Sequence, residues 1–528
     1  MTSCPARQMV SPNPAPFSGA PPEEDIVQID APVNDNDDVN ENTMSIQKED
    51  ILTSNSLATK LPKSSSRPPK PRNISNPLQT GIRNYLKNHR HQNQHQLNIH
   101  TSPNPVSLSI PLPRRFTIYP PLLLLPSNAF SSPPEWAVAY NTLSTVQRQE
   151  LYACIAASFA SMGITHITMN APIATTMATK TSTSIENRIR SPSGLVPLYG
   201  DFGYGSNDGD DEDEYENVGG ECEDVEEKEA YPTEAALQSA LWVRAVQNRG
   251  IVQIWAPLHS MFSRGNVVEK ARILGIESRF AGLDNDGDDG GKQREVEGLL
   301  GQRVEDIAVV DMYAGIGYFV FSYLKRGAGR VWGWEINGWS IEGLCRGCKV
   351  NGWGVKVVKV DRKTGGVEGG IDGLVRGLKE EDRVVVFHGD NKFAAGVLRA
   401  FKEALQRRKM WKRIRHINLG LLPTSKPAWD GAVKVLDTEA GGWIHVHENV
   451  DVKGIRMMEE YIVKEINSLL RSFRGSGLLP SSFHSSIPAA KCIHVERVKT
   501  YAPGVMHCVF DVYIPPSPGW LESGNRLT

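Results

Sequence analysis

Long apolar runs are scarce in this chain of 528 residues. The run Leu122–Leu125 is bracketed by prolines and is far too short to span a bilayer, so no membrane association is expected. Cysteine is also scarce: seven residues are scattered along the chain. Cys345 and Cys348 are the only close pair, and no second pair completes a zinc set. Two cysteines on a helix in a reducing compartment is the expected reading, with no structural metal. No secretory signal is visible, and a cytoplasmic protein is expected.

Net charge is nearly absent, at −2, but this balance is misleading. Residues 201–230 hold fourteen Asp or Glu against one lysine, a local charge of −13 that leaves +11 on the remainder. A block of like charge reads as a solvated, disordered insertion. The basic remainder suits a polyanionic partner. Residues 1–110 have few large apolar side chains and many Pro, Ser, Asn and Gln. That composition cannot bury enough surface to offset ordering entropy, so a disordered tail is expected.

The stretch IAVVDMYAGIGYF (307–319) carries the most information. A β-branched strand ends in Asp311, turns through Gly315 and Gly317, and opens a helix. A strand, a Gly-rich turn and a helix present backbone N–H groups to a nucleotide-like ligand. The dinucleotide fingerprint is excluded, because its third glycine would stand at position 320, which is Val320. The pattern D-x-Y-A-G-x-G-x-F instead resembles the S-adenosylmethionine loop of class I methyltransferase-like enzymes.

Later runs repeat the strand-end pattern. RVWGWE ends in Glu335, 24 positions after Asp311 and suited to ribose hydroxyls. VVVFHGDN ends in Asp390 and Asn391, and IRHINLGLLP places Asn418 at a fourth strand end. WIHVHENV (443–450) and the runs 492–501 and 506–514 complete a sheet closed by a hairpin. Taken singly, Asp311 and Asn418 are ordinary turn residues and Glu335 a solvated carboxylate. Together, in this order, they favour a ligand site along one sheet edge. The expected fold is α/β. A doubly wound, mainly parallel sheet with a terminal antiparallel hairpin spans 301–516. A smaller α+β domain (111–282) and a linker (283–300) precede it, and a tail (517–528) follows.

In the smaller domain, Ser263, Arg264 and Asn266 gather before a helix that carries Glu269 and Lys270. This suits an anion site. Alternatively, Asn266 and Glu269 form a capping box and Lys270 is a solvated helix lysine. Residues 399–416 read as a basic helix that could meet phosphate.

The series FTIYPPLLLLP, THITMNAPI, MFSRGNVVEKAR, DMYAGIGYF, GDN, HINLGLLP, GGWIHVHENV and VERVKTYAPGVMHCVFDVYI closely resembles eukaryotic, fungal-type tRNA wybutosine-synthesizing protein 2. That family comprises tRNA(Phe) 4-demethylwyosine aminocarboxypropyltransferases. The resemblance implies S-adenosylmethionine as donor and tRNA(Phe) carrying 4-demethylwyosine as partner. It places Ser263, Lys270, Glu335, Asp390 and Asn391 on the donor, above a loop lined by Asp311, Gly315 and Gly317. Asn418 becomes the candidate on the acceptor side, with His445, His447 and Glu448 as weaker candidates. The related tRNA guanine-N1 methyltransferases carry a compact N-L-P motif where this chain reads Asn418-Leu419-Gly420-Leu421-Leu422-Pro423. The stretched form favours aminocarboxypropyl transfer over methyl transfer. An inactive RNA-binding scaffold is the third reading. Oligomeric state is not legible in the sequence.

Overall fold

The computed structural model describes residues 76–89, 111–170, 176–178, 184–203 (except 189, 191 and 193), 230–262, 266–284 (except 277), 299, 302–475 (except 438) and 489–516. The acidic stretch 204–229 and the segments 285–298 and 517–528 lie outside the described residues. So does most of the 1–110 segment.

The first part of the fold is built on a four-stranded sheet. Its strands are β1 (Thr117–Tyr119), β2 (Leu122–Leu125), β3 (His166–Met169) and β6 (Val196–Tyr199), in that order. Two short antiparallel pairs accompany it: β4 (Thr176–Ala178) with β5 (Ser184–Glu186), and β7 (Val243–Val246) with β8 (Val252–Trp255).

Helix α1 (Pro77–Asn88) corrects one expectation, because it lies within the segment read as a disordered tail. Leu78, Ile82 and Tyr85 recur at helical spacing and are fully buried against α2 (Pro134–Asn141) and α3 (Thr145–Ser158). Asn76 caps the helix by accepting from the Gln79 N–H at 3.2 Å, and Pro77 sits in the first turn. Averaging over a long polar stretch hid one short amphipathic helix.

Eight strands form the main sheet: β9 (Ile307–Asp311), β10 (Arg330–Glu335), β11 (Gly354–Lys359), β12 (Asp382–His388), β13 (Arg413–Leu419), β14 (Gly442–Asp451), β15 (Lys491–Ala502) and β16 (Val505–Ile514). Their order is 11-12-10-9-13-14-16-15. All the neighbours from β11 to β14 pair in parallel, and β16 is antiparallel to both β14 and β15. The expected doubly wound sheet with a terminal hairpin is therefore present, with β11 as an added edge strand. Every residue of β9 is buried, which is why its β-branched run does not alternate with polar residues.

Two apolar layers sandwich the sheet. On one face Phe401, Trp429, Ile462 and Ile466 of α9 (Ala394–Arg407), α10 (Trp429–Val435) and α11 (Ile455–Gly475) cover Val310, Trp332 and Phe387. On the other, α6 (Val320–Arg326) and α7 (Gly338–Asn351) bring Phe321, Tyr323 and Leu344 onto Val309 and Val331. Ile273, Leu274, Phe280 and Leu283 join the same layer. Residues 74–528 form one compact unit. The end of the expected smaller domain thus shares a core with the main sheet. Among the described residues, no helix is long and apolar enough to cross a membrane.

Candidate active site

Strand order reverses at β9, since β10 lies on one side and β13 on the other. In an open α/β sheet such a switch point opens a crevice at the carboxyl ends of the strands. Asp311 and Asn418 are register partners there, at the ends of β9 and β13. Asn418 Nδ2 donates to Asp311 Oδ1 at 3.2 Å, and the Tyr313 N–H donates to the same oxygen at 3.1 Å. Asp311 Oδ2 and Asn418 Oδ1 are buried and have no protein partner. Burial pushes the Asp311 carboxyl up to about 7, only partly opposed by the Tyr313 N–H and Asn418.

The turn after β9 depends on glycine. Gly315 has φ +53, and a Cβ there would stand 2.4 Å from the Tyr318 ring. Its N–H donates to Glu335 Oε2 at 2.8 Å. Glu335 Oε1 accepts from the N–H groups of Ile336 at 2.8 Å and Asn337 at 2.9 Å. The carboxylate that would meet a ribose therefore also fixes the loop beneath it. Burial raises the Glu335 carboxyl, against the pull of these N–H donors. Asn391 Nδ2 donates to the Met312 carbonyl at 2.8 Å, which ties the end of β12 to the turn after β9. Asp390 accepts from the Lys392 N–H at 2.9 Å and pairs with Arg188 at 3.2 Å.

The structure thus gathers Asp311, Gly315, Gly317, Glu335, Asp390, Asn391 and Asn418 along one edge. Ser263, with Arg264, lies outside the described residues. Lys270 is on α5 (Val267–Ile273) and is 3% exposed. Its ammonium donates to Gln253 Oε1 at 3.2 Å and lies 5.4 Å from the Tyr318 ring centre. Burial lowers its pKa to about 7. Tyr318 also contacts Gly315, so Lys270 backs the glycine loop from the side of the first module.

The capping-box alternative is not what forms. Asn266 makes no side-chain cap, and Glu269 turns inward to Arg272, at 2.7 and 2.8 Å. Arg272 also meets Asp511 at 2.7 and 3.1 Å, and His445 Nδ1 lies 2.7 Å from Asp511 Oδ1. Burial works against the Asp511 charge, yet His445 and Arg272 hold its carboxyl well below the usual range. His445 and His447 share one buried strand face. His445 serves this network, whereas His447 Nδ1 faces His507 Nε2 at 3.1 Å. Glu448 points the other way and accepts from Thr424 Oγ1, Ser425 N–H and Ser425 Oγ at 2.9 to 3.1 Å. It ties the loop after β13 to β14.

The basic run 399–416 is not one helix. Helix α9 ends at Arg407, and the following strand buries Arg415 completely. Arg415 donates to the Gly441 carbonyl at 2.8 Å, and Arg413 pairs with Asp437 at 2.9 Å. Because α9 runs back from the carboxyl edge, its basic end lies at the opposite edge from the site.

Arg188 and Arg190 are the residues that the sequence did not flag. They belong to the first module, yet Arg188 reaches Asp390 and Arg190 donates to the Leu422 carbonyl in the stretched loop after Asn418. Their sequence separation from these partners left no local signal. Among the described residues no three His, Cys, Asp or Glu side chains converge as a metal set.

The chain is 33% identical over 407 residues to "tRNA wybutosine-synthesizing protein 2" of Schizosaccharomyces pombe, covering 76% of this chain and 73% of that protein. The chain belongs to the tRNA wybutosine-synthesizing protein 2 family. The Saccharomyces cerevisiae protein of the same name is 30% identical over 416 residues, covering 76% of this chain and 74% of its own. Among solved structures, Pyrococcus horikoshii TYW2 in complex with MeSAdo aligns with a TM-score of 0.40 at 16% identity, over 81% of this chain and 100% of that one. No family model matches the chain.

Proposed function

We infer that this member of the wybutosine-synthesizing protein 2 family is a tRNA aminocarboxypropyltransferase. It moves the 3-amino-3-carboxypropyl group of S-adenosylmethionine to C7 of 4-demethylwyosine, next to the anticodon of tRNA(Phe). The observation that carries this reading is the match to the Schizosaccharomyces pombe protein over 407 residues. The site chemistry supports it. Unpartnered Asp311 Oδ2 and Asn418 Oδ1, a glycine turn after β9 and the partly exposed Glu335 suit a nucleoside with a charged tail.

The donor supplies an electrophilic γ-carbon bonded to a sulfonium, which leaves as a neutral thioether. The C7–Cγ bond forms as the Cγ–S bond breaks; the C7 proton then passes to a base or to water. The protein's task is chiefly orientation, because only the carbon held in line with C7 reacts. Glu335 is assigned to the ribose, and Asp390 and Asn391 to the adenine edge. Ser263 and Lys270 are assigned to the amino acid side; the little-screened Lys270 ammonium favours an anion there. Asn418 is assigned to the acceptor base, through the amide oxygen that Asp311 leaves free.

Product analysis tests this directly. Full-length protein, S-adenosylmethionine and tRNA(Phe) carrying 4-demethylwyosine should yield methylthioadenosine and an aminocarboxypropyl adduct by mass spectrometry. S-adenosylhomocysteine with a methylated guanine would replace this reading with methyl transfer. Binding of tRNA without donor affinity would leave an RNA-binding scaffold.

A further inference from the structure

Four large apolar side chains stand exposed along the carboxyl edge, beyond the ends of β13, β14 and β15. Met457 is 70% exposed, Tyr501 55%, Val452 42% and Tyr461 36%. Singly, such residues need no explanation; side by side on one rim they mark a contact surface.

Hydrogen bonds and packing join the segments that carry them. The loop after β13 is held against β14, where the Asn449 N–H donates to the Pro423 carbonyl at 2.9 Å and Glu448 accepts from Thr424 and Ser425. Past β14, the Val452 N–H donates to the Gly504 carbonyl at 3.0 Å. That bond sets the tip of the β15–β16 hairpin beside Val452. Because β16 is antiparallel to both β14 and β15, β15 ends at the same edge as β14 and brings Tyr501 there. Helix α11 begins directly after the Val452–Gly454 turn, and its Met457 and Tyr461 share one face at i, i+4 spacing. Lys426, from the loop after β13, lies over the Tyr461 ring, 5.0 Å from its centre.

Lys426, Lys453 and Arg456 are exposed on the same rim. Of the exposed carboxylates on 449–461, Asp451 accepts the Lys453 N–H at 2.7 Å and Glu460 pairs with Arg456 at 3.2 Å. The rim is thus apolar and aromatic, with lysines at its margin. It borders the acceptor side of the crevice, since its loop starts at Asn418, whereas the donor is assigned to the ends of β9, β10 and β12. A base held at Asn418 belongs to a strand, and its neighbours must leave across the adjoining surface. The unstacked bases of an RNA loop pile onto aromatic and apolar side chains, and its phosphates attract lysine.

We propose that the rim formed by Lys426, Val452, Lys453, Met457, Tyr461 and Tyr501 binds the single-stranded nucleotides that flank the acceptor base. Tyr501 is the stacking platform, and the two lysines meet phosphate. This rests on the reading of an anticodon-loop nucleotide as acceptor.

The test measures binding of the full chain to tRNA(Phe) carrying 4-demethylwyosine and to its isolated anticodon stem-loop, with S-adenosylmethionine binding followed by calorimetry. Tyr501→Ala should weaken both RNAs by about 5- to 150-fold, the range of one lost base stack, with the salt slope unchanged. Tyr501→Phe should bind as wild type does. Lys453→Ala should reduce the salt slope by about one. Donor affinity should be unchanged in all three variants. A loss seen with the tRNA but not with the stem-loop would assign the rim to another part of the tRNA. Unchanged RNA binding in both alanine variants would remove RNA as its occupant, and a wild-type dimer that these variants dissociate in ultracentrifugation would assign it to a second copy. Each of these results overturns the proposal. Rim-dependent RNA binding without release of methylthioadenosine would uphold the surface and remove the aminocarboxypropyl reading instead.

Discussion

Asp311 shows how one side chain couples the fold to the site. It is buried, neutral-leaning and bonded to both Tyr313 and Asn418. Its ordinary value of 3.8 rises to about 7 on folding, so the native state holds the extra proton across that window. Stability from this group is therefore present at low pH and is lost as pH rises through about 7. Asp311→Asn, which keeps the shape and removes the charge, should raise the melting temperature clearly more at pH 8 than at pH 5. Equal shifts at both pH values would contradict this account. The same substitution keeps an acceptor for Asn418, so its effect on donor affinity should be smaller than that of Asp311→Ala.

Two helices dock by different physics. Helix α5 uses a buried ion network: Arg272 joins Glu269 on its own helix to Asp511 on β16. Removing the shared cation strands two buried carboxylates, and Arg272→Met should cost roughly 3–5 kcal/mol in denaturant unfolding. A loss below about 1 kcal/mol would show that the carboxylates find protons or water at little cost. Helix α1 docks by close backbone approach. A Cβ at Gly81 would stand 2.6 Å from Ile155 Cα and 2.9 Å from the Cys154 carbonyl oxygen. Gly81→Val should lift α1 from α3, cost roughly 1–3 kcal/mol and open the chain near residue 89 to protease. Unchanged proteolysis would rule out the docking argument. Both devices combine residues that look unremarkable in their own segments. A glycine within a polar stretch gives no sign of a helix crossing, and an Arg-Glu pair on one helix gives no sign of a third partner 239 residues away.

At the scale of the whole molecule, charge and topology decide the partner and the site. The +11 left outside the acidic stretch predicts tRNA binding that weakens by at least tenfold between about 50 and 200 mM salt, while donor affinity changes little. A flat salt response would leave charge without a role in tRNA binding. The strand ends Asp311, Glu335, Asp390 and Asn418 were legible because each closes an apolar run, and parallel strands align such ends by construction. The mainly parallel pairing was legible too, in the alternation of strands and helices, whereas the order of the strands was not. What the sequence alone determined was this local chemistry: apolar period, turn glycines and the polar residue at each strand end. The tertiary structure decided the rest, because it depended on long-range neighbours. It buried Arg415 and turned Glu269 inward. It enclosed Lys270 behind Tyr318, and it carried Arg188 and Arg190 to a site about 200 residues further along the chain. A charge at a given position reads the same in sequence whether water or a carboxylate faces it. Only packing sets its surroundings, and with them its ionisation and its use.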